Sequence, residues 1–214
     1  IDTTKAKLEL KGETGIRANG ADVNVKGNTG ISGDVGINAE NGNVTLNGST
    51  DIVGTDAAIN AGEGANVDIN TNNSALNIKG DINANGGNIT VDSGKATGTI
   101  NGDVTANNGG SVEISLNDAK SSLTGSYRVD DTSSIVMNIA NGATWNVTDD
   151  GEAVGMSLLR MAKAPAAAPA AGLTVNGGAT KVETGYIDMT KRTKTLDIAH
   201  YSGWETIIYD HEGK

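Results

Sequence analysis

Apolar residues in this chain come in pairs separated by a single residue, and the pairs return at a nearly fixed interval. The series runs Val23/Val25, Val44/Leu46, Val67/Ile69, Ile89/Val91, Val112/Ile114 and Ile135/Met137, with steps of 21, 23, 22, 23 and 23 residues. Alternation inside each pair is the period of a strand that buries one face. A fixed period of this size marks a stacked-repeat architecture. Two companion series keep the same rhythm. One is Ile31, Ile52, Leu76, Ile100 and Leu123; the other is Ile16, Ile37, Ile59, Ile82, Val104 and Tyr127. Each repeat therefore holds three apolar stations.

The residues between stations are turn formers, such as Lys26-Gly27-Asn28, Asn47-Gly48-Ser49, Lys79-Gly80-Asp81 and Asn101-Gly102-Asp103. Gly, Asn and Asp accept the positive φ angles that sharp corners demand. Three short strands and three corners, stacked layer on layer, predict an all-β fold: a right-handed, three-sided parallel β-helix with about 22–23 residues per coil. At the ordinary strand spacing of about 4.8 Å, nine or ten coils would make a rod some 45 Å long. Helical repeats are excluded because no 3.6-residue period is visible, and the leucine/asparagine consensus of leucine-rich repeats is missing. A propeller blade is about twice the observed period.

The pattern breaks once. The pair returns at Leu173/Val175 and again at Leu196/Ile198, so the gap from Ile135 to Leu173 is 38 residues, one coil plus about 15. The expected organisation is β-helix coils over 1–150, a protruding Met/Ala/Pro-containing insertion over 151–172, and further coils over 173–214. The insertion holds Met156-Ser157-Leu158-Leu159-Arg160-Met161 and the low-complexity run Ala164 to Ala171. Residues 186–209 collect Tyr186, Tyr201, Trp204 and Tyr209, which suggests a better-packed set of terminal coils.

Composition fits a thin coil. Thirty glycines and no Phe leave small and β-branched side chains to fill the interior. The net charge of −10 and pI near 4.6 argue against nucleic acid, whose phosphates require basic patches. Cysteine is absent, which suits a chain exported through an oxidising compartment. No signal peptide and no run of about 20 apolar residues is present. The chain begins in mid-pattern at Ile1, so it reads as a fragment of a larger protein.

Candidate chemistry is sparse. The two histidines, His200 and His211, lie near the C-terminus. Asp92-Ser93-Gly94 lacks the glycine that precedes a protease nucleophile. Gly94-Lys95-Ala96 fails the phosphate-loop pattern, and Gly86-Gly87-Asn88 and Gly109-Gly110-Ser111 lack the periodic aspartates of calcium-binding repeats. Carbohydrate-active β-helices need converging acids. Asp34, Asp56, Asp81 and Asp103 are the candidates; Asp81 and Asp103 occupy equivalent corners one coil apart, where Asp is more often a turn former. N-x-[ST] strings, at Asn43, Asn72, Asn88 and Asn146 among others, matter only in a eukaryotic secretory pathway. The chain is therefore read as non-enzymatic, with no cofactor and no metal. The string Met156 to Met161 is open to three readings, the next strand of the coil, a short helix packed on the rod or an exposed contact for a partner, with packing on the rod favoured; Met156, Leu158, Leu159, Arg160 and Met161 are the candidate ligand contact.

Several strings resemble the passenger region of monomeric bacterial autotransporters, the type V secretion adhesins. They are Asn108-Gly109-Gly110-Ser111-Val112-Glu113-Ile114-Ser115-Leu116, Ser122-Leu123-Thr124-Gly125-Ser126, Asn141-Gly142-Ala143-Thr144-Trp145-Asn146-Val147-Thr148, Leu173-Thr174-Val175-Asn176-Gly177-Gly178 and Thr195 to Gly203. The run from Asn141 to Val147 is the most specific. The resemblance implies a β-helix displayed on the outer face of the outer membrane, with 173–214 as autochaperone-like late passenger. A C-terminal barrel, absent from this sequence, would provide the only membrane contact. It further implies attachment to a host-cell or bacterial surface protein or glycan, with self-association between rods as a further partner class. The Met/Ala/Pro insertion departs from the family pattern, in which the tryptophan string runs more directly into the next strand. A passive stalk and a carbohydrate-active enzyme are the alternative functions.

Overall fold

A computed structural model describes residues 1–146, 148, 152–153, 160–162 and 172–176. These form an all-β parallel solenoid of about 7 turns, and no helix occurs among the described residues. Three parallel ladders run its length. The first carries the apolar pairs: Val23, Val44, Val67, Ile89, Val112, Ile135 and Leu173 stand in register, as do Val25, Leu46, Ile69, Val91, Ile114, Met137 and Val175. The return of the pair at Leu173 closes the 38-residue gap as the spacing expects, because Ser134–Asn138 pairs directly with Gly172–Asn176.

The third ladder stacks Ile16, Ile37, Ile59, Ile82, Val104 and Tyr127, also as expected. Two residues on in each coil lies a column of alanines, Ala18, Ala39, Ala61, Ala84 and Ala106, which ends at Val129. Alternating a large and a small side chain on this face lets the isoleucines reach across a narrow interior. Each isoleucine fully buried this way stabilises the coil by about 2–3 kcal/mol.

The second ladder needs one correction. Ile31 and Ile52 are followed by Ile78, not Leu76, and then by Ile100 and Leu123. The register places Leu76 beside Thr50 and Gly98 instead. The cause is a change of corner. In the early coils the chain turns from the first to the second face through Gly27-Asn28 or Gly48-Ser49. From the next coil onward it uses longer turns, 71–75, 93–97 and 117–121. The first longer turn stretches one step to 26 residues, from Ile52 to Ile78, so the more even spacing through Leu76 is the wrong one. Leu76 is nonetheless buried. A β-carbon on Gly98 would come within 2.8 Å of Cδ2 of the buried Leu116, so glycine at this position leaves room for the Leu116 side chain.

The corner between second and third faces is a column of glycines: Gly12, Gly33, Gly54, Gly80, Gly102 and Gly125. A β-carbon on Gly80 would overlap the Gly54 carbonyl oxygen, one on Gly102 that of Gly80, and one on Gly125 that of Gly102. Only a residue without a β-carbon permits this close passage of backbone over backbone. The coils are tied there by Gly80 N–H to Asn101 O (2.9 Å), Gly102 N–H to Thr124 O (3.0 Å) and Gly125 N–H to Asn146 O (3.1 Å).

The interior changes near the end of the continuous coil stack. Tyr127 succeeds Val104, Val129 succeeds Ala106, and Trp145 succeeds Leu123. The two rings meet edge to face, centroids 5.8 Å apart at 64°, a favoured geometry for an aromatic pair. The buried Trp145 Nε1 donates to the Gly125 carbonyl (3.2 Å), so the bulky layer also satisfies the last carbonyl of the glycine column. The aromatic-rich stretch 186–209 lies outside the described residues.

Candidate functional site

Of the expected contact, Met156, Leu158 and Leu159 lie outside the described residues. Arg160 and Met161 belong to a short strand, Arg160–Ala162, which pairs parallel with Gly172–Asn176: Arg160 stands opposite Thr174 and Met161 opposite Val175. Glu152–Ala153 pairs with Arg128 and Val129, so the third ladder runs on past residue 150, where the coils were expected to give way to the insertion. His200 and His211 also lie outside the described residues.

The corner acids hold the backbone. Asp81 Oδ1 accepts the N–H of Asp103 at 2.9 Å, and Asp103 Oδ1 accepts the N–H of Ser126 at 2.7 Å. Each carboxylate thus serves the coil that follows it, the turn-forming role. Asp34 Oδ1 accepts from Thr55 Oγ1 at 3.3 Å, and Asp56 is exposed at the same corner. Among the described residues no group of three or more His, Cys, Asp or Glu side chains is placed to hold a metal. Gly94 (φ +60°) and Lys95 belong to the widened corner, where Lys95 N–H donates to Asn73 Oδ1 at 2.8 Å.

Sequence reasoning missed a ladder of polar side chains along the edge of the first face. Asn43 Nδ2 donates to Asp22 Oδ1 (2.6 Å), Asn66 Nδ2 to Asn43 Oδ1 (2.8 Å), Asn88 Nδ2 to Asn66 Oδ1 (2.9 Å), and Ser111 Oγ to Asn88 Oδ1 (2.6 Å). All four bonds point from a later coil to an earlier one and end on a carboxylate, an arrangement that polarises the chain of amides cooperatively. Shorter links of the same sense join Asn77 to Asp51 (2.7 Å), Asn83 to Asn60 (3.1 Å) and Asn108 to Asn85 (2.6 Å). The signal was present in the recurrence of Asn43, Asn66 and Asn88 at coil spacing, obscured because Asn43 and Asn88 also fall in N-x-[ST] strings.

At the third corner, Asp130 gathers several donors: Asn108 N–H at 2.7 Å, and both the N–H and the hydroxyl of Thr132 at 2.9 Å. Partial burial pushes its carboxyl up. The Ser133 hydroxyl, the Asn108 and Thr132 N–H groups and the Thr132 hydroxyl outweigh that and bring it down to about 2. This acid, too, is a corner brace.

Charge is distributed unevenly along the rod. Lys5, Lys7, Lys11, Arg17 and Lys26 balance the acids of the first coil, whereas Lys79, Lys95, Lys120 and Arg128 face thirteen acids over residues 27–146. The coils beyond the first therefore present an anionic surface of amides, hydroxyls and carboxylates. No protein-family profile, no curated protein and no solved structure matches this chain.

Proposed function

We propose that this chain is an adhesive rod of the bacterial cell surface, part of the passenger region of a monomeric autotransporter, and that it attaches the cell to a host or bacterial surface protein or glycan. The observation that carries this reading is the unbroken parallel register of the first face from Val23 to Leu173. A solenoid held by neighbour-to-neighbour contacts grows in length without a larger core, which is what presenting a binding surface away from a membrane requires. Its exposed Asn, Thr, Asp and Glu side chains suit polar, wet contacts with proteins and sugars. The work is display and attachment, with Met156, Leu158, Leu159, Arg160 and Met161 as the ligand contact.

The chain fused to an outer-membrane barrel and displayed on a non-adherent bacterium provides the test, with attachment to host cells and to sister bacteria as the readout. Display raises attachment, and deleting 151–172 lowers it by about tenfold, equivalent to about 1.4 kcal/mol per contact event. Attachment that survives the deletion unchanged removes 151–172 as the contact. No attachment with or without it leaves a passive stalk. Turnover of any polysaccharide by the purified chain would overturn the reading in favour of an enzyme.

A further inference from the structure

The sequence contains eight Asn-Gly pairs, beginning at Asn19, Asn41, Asn47, Asn85, Asn101, Asn108, Asn141 and Asn176. Asn-Gly is the dipeptide in which a backbone nitrogen most easily attacks the preceding side-chain amide, because glycine offers no β-carbon to obstruct it. The attack is possible only when that nitrogen is free to lose its proton and approach the amide carbon. Both residues are described for the first seven pairs, and the solenoid treats those seven differently.

In five of them the glycine N–H is committed to a neighbouring coil. Gly20 donates to Glu40 O (2.9 Å), Gly48 to Asn70 O (3.0 Å), Gly86 to Asn107 O (3.0 Å) and Gly102 to Thr124 O (3.0 Å). Gly109 donates to the hydroxyls of Thr132 and Ser133, both at 3.0 Å. In the sixth, Gly42 is buried, and a β-carbon there would lie 2.6 Å from Ala21 O and 3.0 Å from Ala21 N; the coil beneath it blocks the movement that attack requires. The seventh is Asn141-Gly142. Both residues are exposed, the Gly142 N–H has no hydrogen-bond partner among the described residues, and a β-carbon on Gly142 would meet only Ala119, at 3.2 and 3.5 Å. The pair forms the tip of a tight turn closed by Ala143 N–H to Ala140 O (3.1 Å), with φ of +56° at Asn141 and +86° at Gly142. Among the described residues, the Asn141 side chain is tethered only by a long contact to Asn117 O (3.4 Å).

We infer that Asn141 is a site of spontaneous self-modification in the folded protein. The Gly142 nitrogen gives up its proton and bonds to the Asn141 side-chain carbon. The bond from that carbon to the amide nitrogen breaks, and ammonia leaves with the proton. Water then opens one of the two carbonyls of the resulting five-membered imide. One opening gives aspartate; the other gives isoaspartate, whose backbone is longer by one methylene. No oxidant, metal or second protein takes part. Either product adds a negative charge to a surface that is already anionic, at the turn before the Trp145 strand.

The other pairs in the same chain supply internal controls. The purified full chain is incubated at mildly alkaline pH, folded or in denaturant, then digested and mapped by mass spectrometry with isoaspartate detection. In the folded protein Asn141 converts at least about tenfold faster than Asn19, Asn47, Asn85, Asn101 or Asn108, because each of those reactions must first break a coil-to-coil hydrogen bond. In denaturant the rates converge, and Asn141→Gln abolishes the fast event without changing the others. Equal rates at Asn141 and the hydrogen-bonded pairs in the folded chain would overturn the inference, as would an Asn141 that stays intact while any of them converts.

Discussion

Gly80→Ala tests whether close backbone passage at the glycine column, rather than glycine content as such, holds the solenoid to its dimensions. Gly80 has φ +116°, and a β-carbon there would overlap the Gly54 carbonyl oxygen and lie 2.9 Å from Ala58 N. The unfavourable backbone conformation costs about 1–3 kcal/mol. Forcing two coils apart where neither neighbouring atom can swing away costs about 1–3 kcal/mol more. The stiffer unfolded chain offsets about 0.4–1 kcal/mol of that, which leaves a loss of about 1–5.5 kcal/mol, centred near about 3 kcal/mol. Gly20→Ala is the matched control: φ is +64°, but nothing lies within 4 Å of the added carbon. Its cost is the left-handed penalty of about 1–2 kcal/mol less the same offset, or about 0–1.5 kcal/mol. Thermal melts should therefore separate the two variants by several degrees, since a chain of this size shifts by about 2–4 °C per kcal/mol. Because a solenoid need not unfold in one step, hydrogen exchange at Asn101 and Thr124, beside the column, locates the damage. Melts of the two variants that agree within about 0.5 kcal/mol would refute the steric argument.

Two further outcomes follow from named residues. Ile78→Ala empties a fully buried position in the second ladder and should cost about 2–5 kcal/mol, whereas Asn77→Ala, on the outer side of the same strand, should lose only the bond to Asp51, about 1 kcal/mol; reversed values by urea titration would place the wrong residue inside. Asp130 is held at about 2, below the ordinary aspartate value of 3.8. A carboxyl depressed in the folded state contributes stability that is complete above its unfolded value and disappears as pH falls from about 4 to about 2. Asp130→Asn should accordingly be less stable than the parent at neutral pH and indistinguishable from it near pH 2, as followed by melts across that range. A difference that persists in acid would show that the carboxylate's charge is not what braces the corner.

How far the fold was legible depended on corner length. The first and third ladders were readable to the residue, because Val23 to Ile135 and Ile16 to Tyr127 alternate with polar neighbours and recur at a nearly constant total per coil: the corner that lengthens before Leu76 is offset by the shorter passage from Ile78 to Ile82. The second ladder was misread at one coil, since nothing local distinguishes Leu76 from Ile78: both are buried members of an apolar-x-apolar pair, and only the five-residue corner 71–75 decides which continues the column. The glycine column and the amide ladder were missed for another reason. Gly, Asn and Asp were taken one corner at a time as turn formers, whereas their contacts run between coils, from Asn88 to Asn66 to Asn43. The acids Asp81 and Asp103 were placed at equivalent corners correctly, and the structure assigns their oxygens to backbone N–H groups.

The direction of the ladder bonds has a mechanical consequence. Hydrogen bonds between coils run along the rod, so a pull between its ends loads one coil's bonds in tension instead of shearing many strands together. The rod should yield one turn at a time, at a modest and recurring force. Each released coil of 22 or 23 residues, the common spacing from Val67 to Ile135, would pay out about 70–80 Å of extended chain. Such a rod would act under drag as a ratcheted tether, lengthening many times over before its far end lets go.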